Sequence, residues 1–137
     1  MNEIIVDTGP IVALLNQRDA YHEWARETLD GLAPPLLTCE PVIAEASYIV
    51  RRLDGGPAAV LDLVTRGVLE VAFRVDSELL ALRTLITKYA SVPMSLADAC
   101  LVRMAEMRPR AAIVTLDSDF GIYRRSGRHT LRLIRPS

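Results

Sequence analysis

Ile4-Ile5-Val6-Asp7-Thr8-Gly9-Pro10-Ile11-Val12-Ala13-Leu14-Leu15 is the stretch whose reading decides the fold. Ile4-Ile5-Val6 reads as a short buried strand, and Asp7 ends the apolar run. Thr8-Gly9-Pro10 then opens a short apolar helix through Leu15, because proline tolerates the first helical turn. The same alternation continues outward. An amphipathic helix runs from about Ala20 to Leu32 and is closed by Ala33-Pro34-Pro35. Leu36-Leu37-Thr38 forms a second strand. Glu40-Pro41 opens a helix to about Leu53, and the turn Asp54-Gly55-Gly56-Pro57 follows. A helix over Ala58–Thr65 ends at Gly67, and Glu70–Phe73 is a third strand. Asp76 is read as the cap of a helix over Ser77–Tyr89. Ser95 opens another helix, which ends near Met107. Ala112–Val114 is a fourth strand and Leu131–Ile134 a fifth. Strands alternating with helices predict an α/β chain: a mostly parallel, four- to five-stranded sheet with helices on both faces, in three α/β/α layers. At 137 residues, with no repeat and no linker long enough to divide it, residues 1–137 are expected to form a single domain.

Five acids stand where such a protein has little structural use for them. In open parallel sheets, sites form beyond the carboxyl ends of the strands. Asp7 ends the first strand, and Asp117 ends the run Ala111-Ala112-Ile113-Val114-Thr115-Leu116. Asp119 follows two residues on, where a single aspartate would suffice to cap a short helix. At about 100° per residue, Glu45 shares a helical stripe with Val42, Tyr48 and Ile49, with Arg52 further along as a possible ion-pair partner. Ser95-Leu96-Ala97-Asp98 fits a capping box with Asp in place of the usual Glu or Gln. Asp98 is also in register with Leu101, Val102 and Ala105, about 140° from Arg103, so it points inward. A helix N-terminus favours an anion, which makes the capping and functional roles compatible. Burying carboxylates without partners is costly, and convergence on a divalent cation is the simplest account of all five.

The donors are oxygens, which selects a hard cation such as Mg²⁺ or Mn²⁺. His22 and His129 are the only histidines, and neither joins the acids; His22 is read as an exposed helix residue. Zinc is therefore disfavoured. The chemistry that follows is phosphoryl transfer, with a cation activating water and a carboxylate ordering or deprotonating it. The net charge of −1 says little, but eight arginines lie between Ala99 and Ser137 against Glu106, Asp117 and Asp119. Among them Arg124, Arg125 and Arg128 are candidates for binding a polyanionic backbone; an exposed charged turn is the alternative reading of that segment. Cys39 and Cys100 lack metal-ligand spacing and are expected to be reduced core residues. With neither a signal peptide nor an apolar run of membrane-spanning length, the expected location is cytoplasmic.

Four segments together resemble a known family: Ile5-Val6-Asp7-Thr8-Gly9-Pro10, Glu40-Pro41-Val42-Ile43-Ala44-Glu45-Ala46, Met94-Ser95-Leu96-Ala97-Asp98-Ala99 and Thr115-Leu116-Asp117-Ser118-Asp119-Phe120. Each is weak alone; in this order, spanning Ile5 to Phe120, they resemble a PIN domain of the VapC-toxin type. The resemblance implies a Mg²⁺- or Mn²⁺-dependent endoribonuclease of a type II toxin–antitoxin pair, usually dimeric, masked by a small VapB-like antitoxin. The family's acidic quartet carries over to Asp7, Glu45, Asp98 and Asp117, with Asp7, Asp98 and Asp117 as metal ligands. Thr8, Thr115 and Asp119 carry over as supporting polar residues, Thr8 replacing a frequent serine.

Two other readings compete. A haloacid-dehalogenase-like phosphatase also places an Asp after its first strand, but needs a second acid where Gly9 stands and a lysine, for which Lys88 is the only candidate. A PIN-like module that binds RNA without turnover is the non-catalytic alternative. The presence of every acid of the quartet argues against lost turnover. Neither GxGxxG nor GxxxxGK[ST] occurs, so nucleotide-binding folds have no support.

Overall fold

The computed structural model describes residues 3–137. In chain order, β1 (Ile4–Val6) leads into α1 (Thr8–Leu15) and α2 (His22–Asp30). Then come β2 (Leu36–Thr38), α3 (Glu40–Ile49), α4 (Gly56–Thr65) and β3 (Leu69–Val71). A short 3₁₀ turn (Val75–Ser77) precedes α5 (Leu79–Lys88) and α6 (Leu96–Met107). The chain ends with β4 (Ala112–Val114), a 3₁₀ turn (Ser118–Gly121), β5 (Arg124–Arg125), β6 (His129–Thr130) and β7 (Leu133–Ile134).

Five strands form one sheet in the order β3-β2-β1-β4-β7, and every neighbouring pair is parallel. The strands are buried on both faces and so read as short apolar runs: Ile5, Val6, Ile113 and Val114 are wholly inaccessible. The chain steps from β1 to β2 to β3 in one direction, then returns past β1 to β4 and β7. Right-handed crossovers with that reversal put α1–α4 on one face and α5 and α6 on the other. The packing agrees, with α1 against α2, α3 and α4, and α5 against α6. The reversal lies between β1 and β4, so a crevice opens beyond their carboxyl ends. Asp7 and Asp117 sit at its two sides.

The α/β sandwich of the sequence reading is present, with several local differences. Strand β3 begins at Leu69 because Gly67, at φ +76°, turns the chain directly into pairing with β2. Phe73 lies beyond the strand and fills the core. Helix α3 stops at Ile49. Asp76 does not cap α5; its carboxylate is taken by Arg74 at 2.8 Å, and α5 starts three residues later. The segment Arg124–Thr130 forms a small antiparallel hairpin, β5–β6, that was not anticipated. His22 is half-buried rather than exposed, with its Nδ1 at 2.8 Å from the Ala13 carbonyl, which ties α2 to α1. Cys39 and Cys100 are free and buried. No helix among the described residues is long and apolar enough to cross a membrane.

The turn from α3 to α4 is closed around Gly56. A Cβ built there would meet the Val50 carbonyl oxygen at 2.0 Å. Backbone cannot yield as a flexible side chain does, so Gly56→Ala is expected to cost about 2–3 kcal/mol of stability. Chemical denaturation checks this, and a midpoint unchanged from the parent would show that the turn is not closed in this way.

Candidate active site

Asp7 leaves β1 and caps α1. Its Oδ1 accepts the Thr8 N–H at 2.7 Å, and its Oδ2 accepts the Thr115 hydroxyl at 2.7 Å. Thr115, buried just beyond β4, also receives the Asp117 N–H on its Oγ1 at 2.9 Å. Asp117 in turn accepts the Asp119 N–H on Oδ1 at 2.9 Å, which caps the following 3₁₀ turn. One chain of hydrogen bonds thus joins the ends of β1 and β4 across the crevice. Asp98 enters from the N-terminus of α6, where its N–H donates to Ser95 Oγ at 3.0 Å, the capping contact expected from the sequence. Its carboxylate Oδ2 accepts the Tyr123 hydroxyl at 2.8 Å.

Asp7, Thr8, Glu45, Asp98 and Asp117 line one cleft of about 330 Å³. Glu45 does not point into the core as its apolar stripe implied. Tyr48 and Ile49 are 64% and 50% exposed, and Glu45 is exposed beside them at the rim of the cleft. Helix α3 buries instead the face carrying Val42, Ala46 and Val50. Thr115 and Asp119 support the cleft from behind through the hydrogen bonds above. A larger cavity, about 560 Å³, opens beside Pro41, Phe73, Val75 and Leu79, but it holds none of these five residues. Chemistry, not size, singles out the smaller one.

Among the described residues no lysine, arginine or histidine lines the cleft. Among the described residues every ion pair lies elsewhere: Arg103 with Glu78 and Glu106, Arg108 with Glu3, Arg26 with Glu23, Arg74 with Asp76, and His22 near Glu23. Burial therefore raises the Asp7 carboxyl to about 6; its two hydrogen bonds oppose this, and the charges of Asp98 and Asp117 add to it. Burial also raises Asp98, against the hydrogen bonds from Tyr123 and Ser95, with repulsion from Asp117 adding. Among the described residues no three Asp, Glu, His or Cys side chains stand close enough to enclose an ion as they are. Two observations nevertheless fit a hard divalent cation: the donors facing the cleft are oxygens, and the buried Thr8 Oγ1 has no hydrogen-bond partner.

The arginines of the C-terminal segment divide. The Arg124 guanidinium donates to the carbonyls of Gly121, Ile122 and Tyr123, so it is engaged in holding the turn. Arg125 pairs across the hairpin with His129, and Arg128 is exposed at its tip. The hairpin is fixed to the helices, with the Ser126 N–H donating to Glu106 at 2.7 Å and Lys88 to the Gly127 carbonyl at 3.3 Å.

A sequence profile described as PIN domain matches residues 4–125. The chain belongs to the PIN domain family. Ribonuclease VapC26 of Mycobacterium tuberculosis is 30% identical over 116 residues, which cover 83% of this chain and 86% of that protein. The crystal structure of Mycobacterium tuberculosis VapC20, described as a sarcin-ricin loop cleaving toxin, superposes with a TM-score of 0.77 at 24% identity, over 95% of this chain and 99% of that one. This PIN domain is thus related to the VapC toxin ribonucleases, with the fold supported independently by structure.

Two polar residues that line the PIN-domain cleft, and one buried behind it, escaped the sequence reading. Asp19 and Tyr21 line it from the turn between α1 and α2, where Asp19 Oδ1 accepts the Tyr21 N–H at 2.8 Å. Their only sequence signal is a polar break after an apolar helix. Tyr123 is the third, and nothing local marks a buried tyrosine as the partner of an aspartate 25 positions earlier.

The raised Asp7 carboxyl has a direct consequence for stability. The folded protein takes up a proton near pH 6, whereas the unfolded chain does so near the ordinary 3.8. Between those values the folded state binds more protons, so metal-free stability falls as pH rises from about 4 to 6. The full effect is about 3 kcal/mol. Asn at this position can still accept from Thr8 and meet Thr115. Metal-free Asp7→Asn is therefore expected to melt above the parent at pH 7.5 and to lose this advantage near pH 4. Parallel pH profiles for the two proteins would refute the assignment.

Proposed function

We propose that this PIN domain is a Mg²⁺- or Mn²⁺-dependent endoribonuclease that hydrolyses RNA phosphodiester bonds, acting as the toxin of a type II toxin–antitoxin pair. The observation that carries the reading is the convergence of Asp7, Asp98 and Asp117, with Glu45 at the rim, on a cleft free of cationic side chains at the sheet's reversal point. Kinship with VapC26, a ribonuclease by name, supports the substrate class.

Asp7, Asp98 and Asp117 are the residues that would hold the cation, with the Thr8 hydroxyl as a supporting donor. When bound, Mg²⁺ or Mn²⁺ supplies positive charge that activates water and offsets charge developing on the phosphate. The chain's own part is positioning. The Thr8 N–H and Thr115 hydroxyl fix both oxygens of Asp7. The Asp119 N–H fixes one oxygen of Asp117 and leaves the other free for the cleft. Glu45, exposed at the rim of the cleft and without an ion pair among the described residues, would order the attacking water and accept its proton. On this reading Arg125 and Arg128 contact the RNA backbone, while Arg124 contributes by shaping the turn that precedes them. A VapB-like antitoxin that masks the cleft, a homodimeric state and a cytoplasmic location belong to the same proposal and rest on the kinship.

Purified protein incubated with a structured RNA pool in Mg²⁺ or Mn²⁺ is expected to cut internally. EDTA and Asp117→Asn should each abolish the cut. Cleavage that survives both would overturn the metal-dependent reading and point to a contaminating nuclease. RNA binding without any cleavage in Mg²⁺ or Mn²⁺ would favour the non-catalytic module.

A further inference from the structure

Tyr123 is wholly buried, yet its hydroxyl reaches a carboxylate of the cleft: it donates to Asp98 Oδ2 at 2.8 Å. A phenol ring is rigid, and this one is held on two sides. Tyr89 meets it edge-on with ring centroids 5.0 Å apart, and Phe120 does so at 5.3 Å. Backbone contacts close the arrangement. The Tyr123 N–H donates to the Asp119 carbonyl at 3.2 Å, and the next N–H, of Arg124, donates to the Tyr89 hydroxyl at 2.9 Å. The ring therefore cannot follow Asp98 if that side chain swings away.

Ser95 takes the backbone N–H of Asp98 and also bonds its carboxylate, which holds that carboxylate at the N-terminus of α6. Asp117 repels the same carboxylate. The Tyr123 hydroxyl adds a bond from outside the capping turn, on a ring that cannot move with it.

We propose that Tyr123 is a positioning residue that holds the Asp98 carboxylate toward the cleft and so sets the affinity of the site for a divalent cation. The inference rests on the reading of Asp98 as a metal ligand. Partners that orient a ligand from behind typically change metal affinity by about 10- to 100-fold when removed.

The test uses two matched variants of the full chain, each losing one buried hydroxyl from the same aromatic cluster. Tyr123→Phe removes the bond to Asp98; Tyr89→Phe removes the bond to the Arg124 N–H. Mn²⁺ binding is measured by calorimetry without RNA, and cleavage is followed across Mn²⁺ concentration. Tyr123→Phe is expected to weaken Mn²⁺ binding about 10-fold, with RNA KM unchanged and kcat recovering at saturating Mn²⁺. Tyr89→Phe is expected to bind Mn²⁺ as the parent does. Equal Mn²⁺ affinity in Tyr123→Phe and parent would overturn the positioning role and leave the metal site standing. An equal loss in both variants would overturn it in favour of general loosening of the cluster. A parent that binds no Mn²⁺ would overturn the inference together with the metal reading.

Discussion

A buried carboxylate, Asp7, faces two others across a crevice that no lysine or arginine enters, and much of the surrounding structure is organised around that constraint. An isolated buried anion is unstable unless something compensates it. Here the compensation within the chain is partial. Two short hydrogen bonds hold Asp7, yet burial still lifts its carboxyl to about 6. The cleft is thus built to hold negative charge in one place without neutralising it. For stability alone, a neutral side chain of the same shape would serve the core better.

The sheet makes the arrangement possible. Reversal of strand order between β1 and β4 separates the loops that leave them, and each loop begins with an acid-bearing cap. Asp7 caps α1, Asp117 caps the 3₁₀ turn, and Ser95 caps α6 so that Asp98 lies in its first turn. Helix N-termini supply backbone N–H donors that tolerate carboxylates. The same acids therefore serve local folding and the site. This is why a capping role and a ligand role for Asp98 do not exclude each other.

Most of the fold was legible because parallel strands buried on both faces read as apolar runs, and each run that matters here ends in a polar cluster. Asp7 and Asp117 followed from that pattern, and Asp98 from the capping box at Ser95 and its place on the helical stripe. Glu45 was legible as a site candidate but not in its orientation, because Tyr48 and Ile49 look like core residues and are largely exposed. The Arg124–Thr130 hairpin was not legible: its strands are two residues long and carry Arg, His and Thr, so no alternation marks them. Tyr123 was hidden for a different reason. Its contact with Asp98 arises from how the 3₁₀ turn after Asp117 sets the chain against α6, and periodicity carries no record of such a contact.

The central claim is that these carboxylates form a divalent-cation site, and the most direct measurement is the melting temperature of the purified protein across a Mn²⁺ titration at neutral pH. Binding to the folded state alone should raise stability by about 2.7 kcal/mol when Mn²⁺ is 100-fold above its dissociation constant. The account predicts a melting temperature that climbs steadily with the logarithm of Mn²⁺ concentration and returns to its starting value in EDTA. A melting temperature indifferent to Mn²⁺ throughout would contradict it and leave the acidic cleft a feature of folding alone.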